Sequence, residues 1–151
     1  MPYTLDLSQF LCFSIYSASH AFNQFYRPLL DELGLTYPQY LVMVSLWSKD
    51  DKTVKAIGQE LSLESNTLTP LLKRMEAMDL LVRTRDPDDE RQVRIRLTDK
   101  GRALKQPASE IPACVGAALD MAPEQLSELM QTMKQVQERL AAGLAGARTD
   151  K

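Results

Sequence analysis

The chain has 151 residues, 44% of them hydrophobic, with a formal charge of -2 and a pI near 5.4. That balance fits one globular domain, or a small lobe plus an interaction lobe, and excludes a chain too polar to fold. It also excludes a molecule-wide basic field, so any nucleic-acid site must be a local patch.

No run of about 18 apolar residues is present to cross a membrane, and no membrane partner is expected. The apolar stretch from Phe10 to Phe25 lacks a basic segment before it and keeps helical spacing throughout, so it reads as folded helix and not as a leader. Two cysteines 102 positions apart point to a reducing compartment, the cytoplasm, and away from a disulfide scaffold. With a single histidine they are too few for a structural zinc site, and neither a metal nor a cofactor is expected.

Leu7, Leu11, Ile15, Ala18, Phe22, Phe25 and Leu29 step by three or four residues, the stripe of an amphipathic helix that Gly34 can stop. Thr36-Tyr37-Pro38-Gln39 has capping-box spacing and opens a second, apolar helix through Trp47. Lys49-Asp50-Asp51-Lys52 reads as a polar break. Thr53 then caps a short helix with Val54, Ile57 and Leu61 inward, ending near Ser62. After the turn Ser62-Leu63-Glu64 comes a longer helix with Leu68, Leu71, Leu72, Met75 and Met78 on one side and Pro70 in or near its first turn. Two helices so joined form a helix-turn-helix.

Leu81 to Arg85 and Gln92 to Leu97 are strand-like, the second alternating Val93, Ile95 and Leu97 with Arg94 and Arg96. The polar tip Asp86 to Arg91 between them makes a β-hairpin wing. Thr98 caps a further helix, kinked or broken around Pro107 and Pro112, and a final helix starts near Pro123. Leu126, Leu129, Met130, Met133, Val136, Leu140 and Leu144 give that last helix a stripe wider than one small domain covers. The expected fold class is mainly α with a small β-hairpin wing: a winged helix-turn-helix over residues 36–98, with helical dimerisation regions over 1–35 and 99–151.

A recognition helix presents short polar side chains at its N-terminal end, where base edges lie, and cations where phosphates run. Ser65, Asn66, Thr67 and Thr69 meet the first demand, Lys73 and Arg74 the second. From Lys73 to Lys105 there are ten Lys or Arg against seven Asp or Glu, a local +3 in an acidic protein. In the wing, Asp89 is placed to orient Arg91 so that its guanidinium enters a minor groove. Any one of these arginines alone would read as a solvated hairpin face. Helix-turn-helix and basic wing together favour double-stranded DNA, although a winged helix can also serve protein contacts.

Cys12 lies beside the apolar stripe of the first helix, where a free cysteine is ordinarily an inert hydrophobe. Tyr26, fourteen residues on, projects to nearly the same side but about 21 Å along the axis, so the two cannot touch within one helix. In an antiparallel two-fold dimer the Tyr26 end of one helix can lie over the Cys12 end of the other, with Tyr37 beside it. Phenolic hydrogen bonds to sulfur would then stabilise the thiolate. Ordinary interface packing is the bland alternative for both tyrosines. His20, on the opposite side, reads as a surface residue.

The segments Leu11-Cys12-Phe13, Tyr16-Ser17-Ala18, Tyr26-Arg27-Pro28-Leu29-Leu30, Leu35-Thr36-Tyr37-Pro38-Gln39-Tyr40, Thr67-Leu68-Thr69-Pro70-Leu71-Leu72-Lys73 and Asp89-Glu90-Arg91 resemble the organic hydroperoxide resistance regulators, within the MarR group of winged-helix repressors. The resemblance runs over nearly the whole chain. It implies that Cys12 is a peroxide-sensing thiol hydrogen-bonded by Tyr26 and Tyr37 of the partner subunit. It further implies that a reduced homodimer represses a peroxidase gene from a pseudo-palindromic operator, and that organic hydroperoxide is the inducer. Two-cysteine members carry a resolving cysteine in the region of Cys114, which makes Cys114 the candidate resolving thiol; otherwise a small cellular thiol would cap Cys12. Two other functions compete. A regulator of the same fold could respond to a small aromatic ligand with Cys12 merely packed. A thiol peroxidase is disfavoured, since no strand–CxxC–helix pattern or reductant-holding cluster is present, and the chain is not expected to be an enzyme.

Overall fold

The computed structural model describes residues 5–149. The outermost positions of the expected dimerisation region, 1–4 and 150–151, lie outside them. The chain divides into two compact units, Met1–Ile111 and Pro112–Lys151.

In the first unit a 3-10 turn over Leu7–Gln9 leads into α1 (Leu11–Asp31), followed by α2 (Tyr37–Ser48). Gly34, at φ +69°, makes the turn between them in the left-handed region that costs glycine nothing. The expected capping box of α2 is formed: Thr36 Oγ1 accepts from the Gln39 N–H at 3.4 Å and Gln39 Oε1 from the Thr36 N–H at 3.0 Å. α2 is apolar on nearly every side because it runs through the core, with Val42, Met43 and Leu46 almost fully enclosed.

Thr53 Oγ1 caps α3 (Val54–Leu61) by accepting from the Ala56 N–H. Ile57 is buried, while Val54 and Leu61 are half-buried. Ser62, at φ 55°, ends α3 and turns the chain into α4 (Ser65–Ala77), whose Leu68, Leu71, Leu72 and Met75 complete the helix-turn-helix core. A side chain at Gly58 would meet the Leu63 carbonyl oxygen at 2.8 Å, so this turn needs a glycine for close packing. Pro70 lies in the second turn of α4, not the first, and its exposed position keeps the missing N–H on the wet side.

The wing pairs β2 (Leu81–Arg85) with β3 (Val93–Leu97), from Leu81 opposite Leu97 to Arg85 opposite Val93. Ile95 and Leu97 are buried and Arg96 is exposed, as alternation predicts. A third strand, β1 (Lys52–Thr53), pairs antiparallel with β3, giving the order β1-β3-β2. It lies in what reads from sequence as a polar break and helix cap, and two residues are too few for a period-2 signal.

Thr98 caps α5 (Asp99–Ala103) through the Gly101 N–H. The helix expected to be kinked or broken around Pro107 and Pro112 is broken, into α5, α6 (Lys105–Ala108) and α7 (Ile111–Leu119), with the two prolines inside α6 and α7; α7 reaches into the second unit. The second unit continues with α8 (Pro123–Thr149).

Two long helices keep apolar faces in contact with solvent. On α1, Leu11, Ile15, Phe22 and Phe25 are 58%, 36%, 39% and 40% exposed; on α8, Leu129, Met130, Leu140 and Leu144 are all exposed. Exposed apolar area on this scale marks an interaction surface.

Candidate nucleic-acid interface and cysteine site

The N-terminal end of α4 presents Ser65, Asn66 and Thr67 to solvent, with Thr69 half-buried beside them. One turn further, Lys73 and Arg74 are exposed on the same helix, and among the described residues their side chains have no ion-pair partner. Between α4 and the wing lies a cleft of about 310 Å³, lined by Thr53, Lys55, Ser65, Thr69, Arg83 and Arg91 among others. Of the expected cations only Arg91 lines this recess, with Ser65 and Thr69; Lys55 and Arg83, which sequence reasoning missed, join it there, and Lys73 and Arg74 are not among its lining residues.

In the wing tip, Asp89 Oδ1 accepts from both the Arg91 backbone N–H, at 3.1 Å, and Arg91 Nε, at 3.3 Å. The Arg91 side chain is 93% exposed, so the carboxylate fixes its root and leaves the fork pointing into solvent. At an exposed site such a pair adds little stability; its effect is on direction.

What holds the wing against the rest of the domain is a set of contacts from the presumed polar break. Arg94 Nε meets Asp51 Oδ1 at 2.7 Å, and Arg94 Nη1 meets Asp86 Oδ2 at 3.0 Å. Arg96 reaches the same Asp51 carboxylate, while Asp50 Oδ1 accepts from the Leu97 N–H and Asp50 Oδ2 from Arg102. Hydrogen bonds from the two arginines hold the Asp51 carboxyl below its ordinary pKa. The Asp88 backbone N–H, then Arg94, does the same for Asp86. Asp51 sits at φ 60°, a conformation that Asp tolerates better than most residues. None of this is visible in spacing, since Asp51 and Arg94 are 43 positions apart.

Cys12 occupies the first turn of α1 and is exposed. Tyr26 and Tyr37 come together within one chain, their ring centroids 4.9 Å apart, where the C-terminal part of α1 packs on the start of α2. Burial, followed by the neighbouring tyrosines, raises the Tyr26 phenol above its ordinary pKa, and burial raises that of Tyr37. Both therefore remain protonated donors at neutral pH. Tyr40, which sequence reasoning did not single out, backs the pair at 5.8 Å from Tyr26 and 6.4 Å from Tyr37. Its three-residue spacing from Tyr37 was the signal for it. Cys12 is not near these rings in its own chain, because Tyr26 lies about 21 Å along the helix. Cys114, in α7, is exposed and not disulfide-bonded. His20 is exposed and stacks on Tyr16 at 6.4 Å.

Residues 24–107 match the family described as "Transcriptional regulator SarA/Rot". The chain is 48% identical over 141 residues to the HTH-type transcriptional regulator TtmR of Methylorubrum extorquens, covering 93% of this chain and 71% of that protein. It is 42% identical over 136 residues to the organic hydroperoxide resistance transcriptional regulator of Bacillus subtilis, covering 90% and 92%. Among solved structures, reduced AbfR bound to DNA superposes with a TM-score of 0.74 at 37% identity, over 86% of this chain and 90% of that one. AbfR, from Staphylococcus epidermidis, is also solved overoxidised on DNA (TM-score 0.73, 38% identity, 86% and 91% covered) and with its disulfide formed (0.64, 42%, 83% and 88%).

Proposed function

This chain belongs to the SarA/Rot-type, MarR-like winged-helix transcriptional regulators, in the company of the organic hydroperoxide resistance regulators, and from that premise we propose that it is a repressor released from DNA when organic hydroperoxide oxidises Cys12. It is a DNA-binding regulator and not an enzyme, as its relatives' names agree. Among the described residues no helix is long and apolar enough to cross a membrane.

In the proposed cycle a reduced homodimer sets two copies of α4 into successive major grooves of a pseudo-palindrome. Ser65, Asn66, Thr67 and Thr69 face base edges, and Lys73 and Arg74 neutralise phosphates. The wing carries Arg91, oriented by Asp89, into the adjacent minor groove. The regions 1–35 and 99–151 form the dimer. The exposed apolar faces of α1 and α8 supply the area that such a dimer would bury.

The observation that carries the sensing step is the pairing of Tyr26 with Tyr37, 4.9 Å apart, at the far end of the helix whose first turn exposes Cys12. An antiparallel α1–α1 contact would bring Cys12 of one protomer beside Tyr26 and Tyr37 of the partner subunit. Two protonated phenols donating to sulfur stabilise the thiolate without a nearby cation. The thiolate attacks one peroxide oxygen: a sulfur–oxygen bond forms, the oxygen–oxygen bond breaks, and the alkoxide leaves as alcohol on taking a proton. Sulfur loses two electrons and the peroxide gains them, leaving a sulfenic acid. A second thiol, Cys114 or a small cellular thiol, then attacks that sulfur, forms the disulfide and expels water. Resolution is the step expected to release DNA, in line with a relative solved on DNA when reduced or overoxidised and separately in its disulfide form.

The deciding experiment is binding of wild type and Cys12→Ser to a duplex selected from a random-sequence pool, each with cumene hydroperoxide, with hydrogen peroxide and with neither. Organic hydroperoxide should release wild type and leave Cys12→Ser bound. A response that persists in the mutant sinks the reading. A second reading has one observation in its favour, a groove of about 440 Å³ between α1 and α2 lined by His20, Asn23, Arg27 and Tyr37 among others, which could admit a small aromatic ligand. Ligand-dependent release with the thiol state unchanged would support that reading.

A further inference from the structure

The aromatic cluster does not end at the paired tyrosines. Tyr37, Tyr40 and Trp47 are spaced by three and seven residues, which sets all three along one flank of α2. Tyr40 is 6% exposed and meets Trp47 edge-on, with centroids 6.4 Å apart. The Trp47 indole N–H donates to the Gly101 carbonyl at 2.9 Å, and the Trp47 carbonyl accepts from Lys105 Nζ at 3.2 Å.

Gly101 is the root of the wing. The space beside its Cα is filled by the backbone of Leu80, the residue before β2, and by Leu97, the last residue of β3, whose Cδ2 stands 3.2 Å from where a Cβ would be. A continuous series of contacts therefore leads from Tyr26 and Tyr37, through Tyr40 and Trp47, to both strands of the hairpin. Interiors packed to crystal-like density pass a displacement on, because no void is available to absorb it.

We propose that Tyr40 and Trp47 are positioning residues that carry the state of the sensing tyrosines to the wing, so that oxidation at Cys12 changes the hairpin's grip on DNA. The proposal rests on the peroxide-sensing reading above. When resolution draws the Cys12 sulfur into a disulfide, Tyr26 and Tyr37 lose the acceptor that held their hydroxyls. Their rings re-seat, Tyr40 follows, and Trp47 moves the Gly101 carbonyl to which it is bonded. The hairpin tilts about Leu80 and Leu97, and the displacement is largest at its tip, where Arg91 sits. Coupling of this kind is a free-energy difference between two sites, so a link can be cut while each site keeps its own chemistry.

Trp47→Phe keeps a ring and removes the N–H; Tyr40→Leu keeps apolar bulk and removes the ring. Each is compared with wild type as the full-length protein, reduced and after cumene hydroperoxide, for affinity to the selected duplex, with Cys12 oxidation followed by mass spectrometry. In wild type the ratio of reduced to oxidised affinity is expected at about 5- to 150-fold, the usual span of allosteric coupling. In both variants that ratio should fall toward one, whatever the change in reduced affinity itself, while mass spectrometry still finds Cys12 oxidised. Trp47 is the single tryptophan of the chain, so its emission reads the relay directly. It should shift on oxidation of wild type and stay fixed in Tyr40→Leu and in Cys12→Ser. If Tyr40→Leu does not fold, Trp47→Phe and wild-type emission carry the test. Variants that release DNA as wild type does, or wild-type emission unmoved while DNA is released, overturn the relay and leave sensing intact. Wild-type affinity indifferent to hydroperoxide, both with and without an added small thiol, overturns both.

Discussion

Replacing Gly101 by alanine adds one methyl group at the point where α5 touches the wing. That methyl would collide with the Leu80 carbonyl oxygen, and it would lie 3.1 Å from the Leu80 carbonyl carbon and 3.2 Å from Leu97 Cδ2. The first two are backbone atoms at the mouth of β2 and have no rotamer to escape into. Overpacking of this kind costs about 1–3 kcal/mol. Alanine recovers up to about 1 kcal/mol in helix propensity. Because two of the atoms are backbone the upper part of the overpacking range applies, about 2–3 kcal/mol, and the net loss of about 1–3 kcal/mol corresponds to a fall in melting temperature of about 2–12 °C for a chain of this size. The assay is thermal unfolding by circular dichroism at one fixed protein concentration, because a dimer's melting point depends on concentration. Gly116→Ala supplies the opposite sign: nothing lies within 4 Å of its Cβ position in α7, so it should stabilise by about 0.4–1 kcal/mol. Gly101→Ala should also weaken DNA binding, since relief of the clash displaces the hairpin. A Gly101→Ala protein that melts at or above wild type would refute the close packing at the wing root.

Lys73→Ala and Arg74→Ala should each weaken binding evenly across DNA sequences and reduce the slope of log affinity against log salt by about 1; a loss confined to certain sequences would assign a base contact instead. Asp89→Ala removes a negative charge from the DNA side of the wing, so simple electrostatics predicts tighter binding. Orientation of Arg91 predicts weaker binding, and a titration in a single buffer separates the two. Asp51, Glu60, Glu76 and Asp86 all have folded-state pKa values below the ordinary carboxylate range, so their contribution is fully present above about pH 4 and is lost as pH falls below it. Acid denaturation should therefore begin near that pH and become shallower in Asp51→Asn, which can keep the left-handed backbone at φ 60°. An acid limb as steep as wild type in that variant would show the wing dock to be uncoupled from folding.

Local rules carried much of the architecture because their causes lie within a few residues. Thr36 with Gln39, Thr53 with Ala56 and Thr98 with Gly101 all cap helices as their spacing requires. The alternation of Val93, Ile95 and Leu97 likewise sets which face of the hairpin turns inward. The short polar residues and cations of α4 were legible as one largely solvent-facing set for the same reason, since one helical period orders them.

Where the physics is non-local, the chain alone was silent. Lys49-Asp50-Asp51-Lys52 looks like a solvated turn, yet in the fold Asp51 takes Arg94 and Arg96, Asp50 takes Arg102 and the Leu97 N–H, and Lys52 begins a third strand. The sequence by itself determined the capped starts of α2, α3 and α5, the hairpin, and the residues from which a site is proposed: Cys12, Tyr26, Tyr37 and the basic wing. Only the tertiary structure decided that Tyr26 and Tyr37 stand 4.9 Å apart, that Tyr40 and Trp47 extend them toward Gly101, and that two aspartates hold the wing. Helix periods and caps are set by neighbours in the chain. Ring stacks and ion pairs between distant segments exist only once folding has closed the loops that separate them.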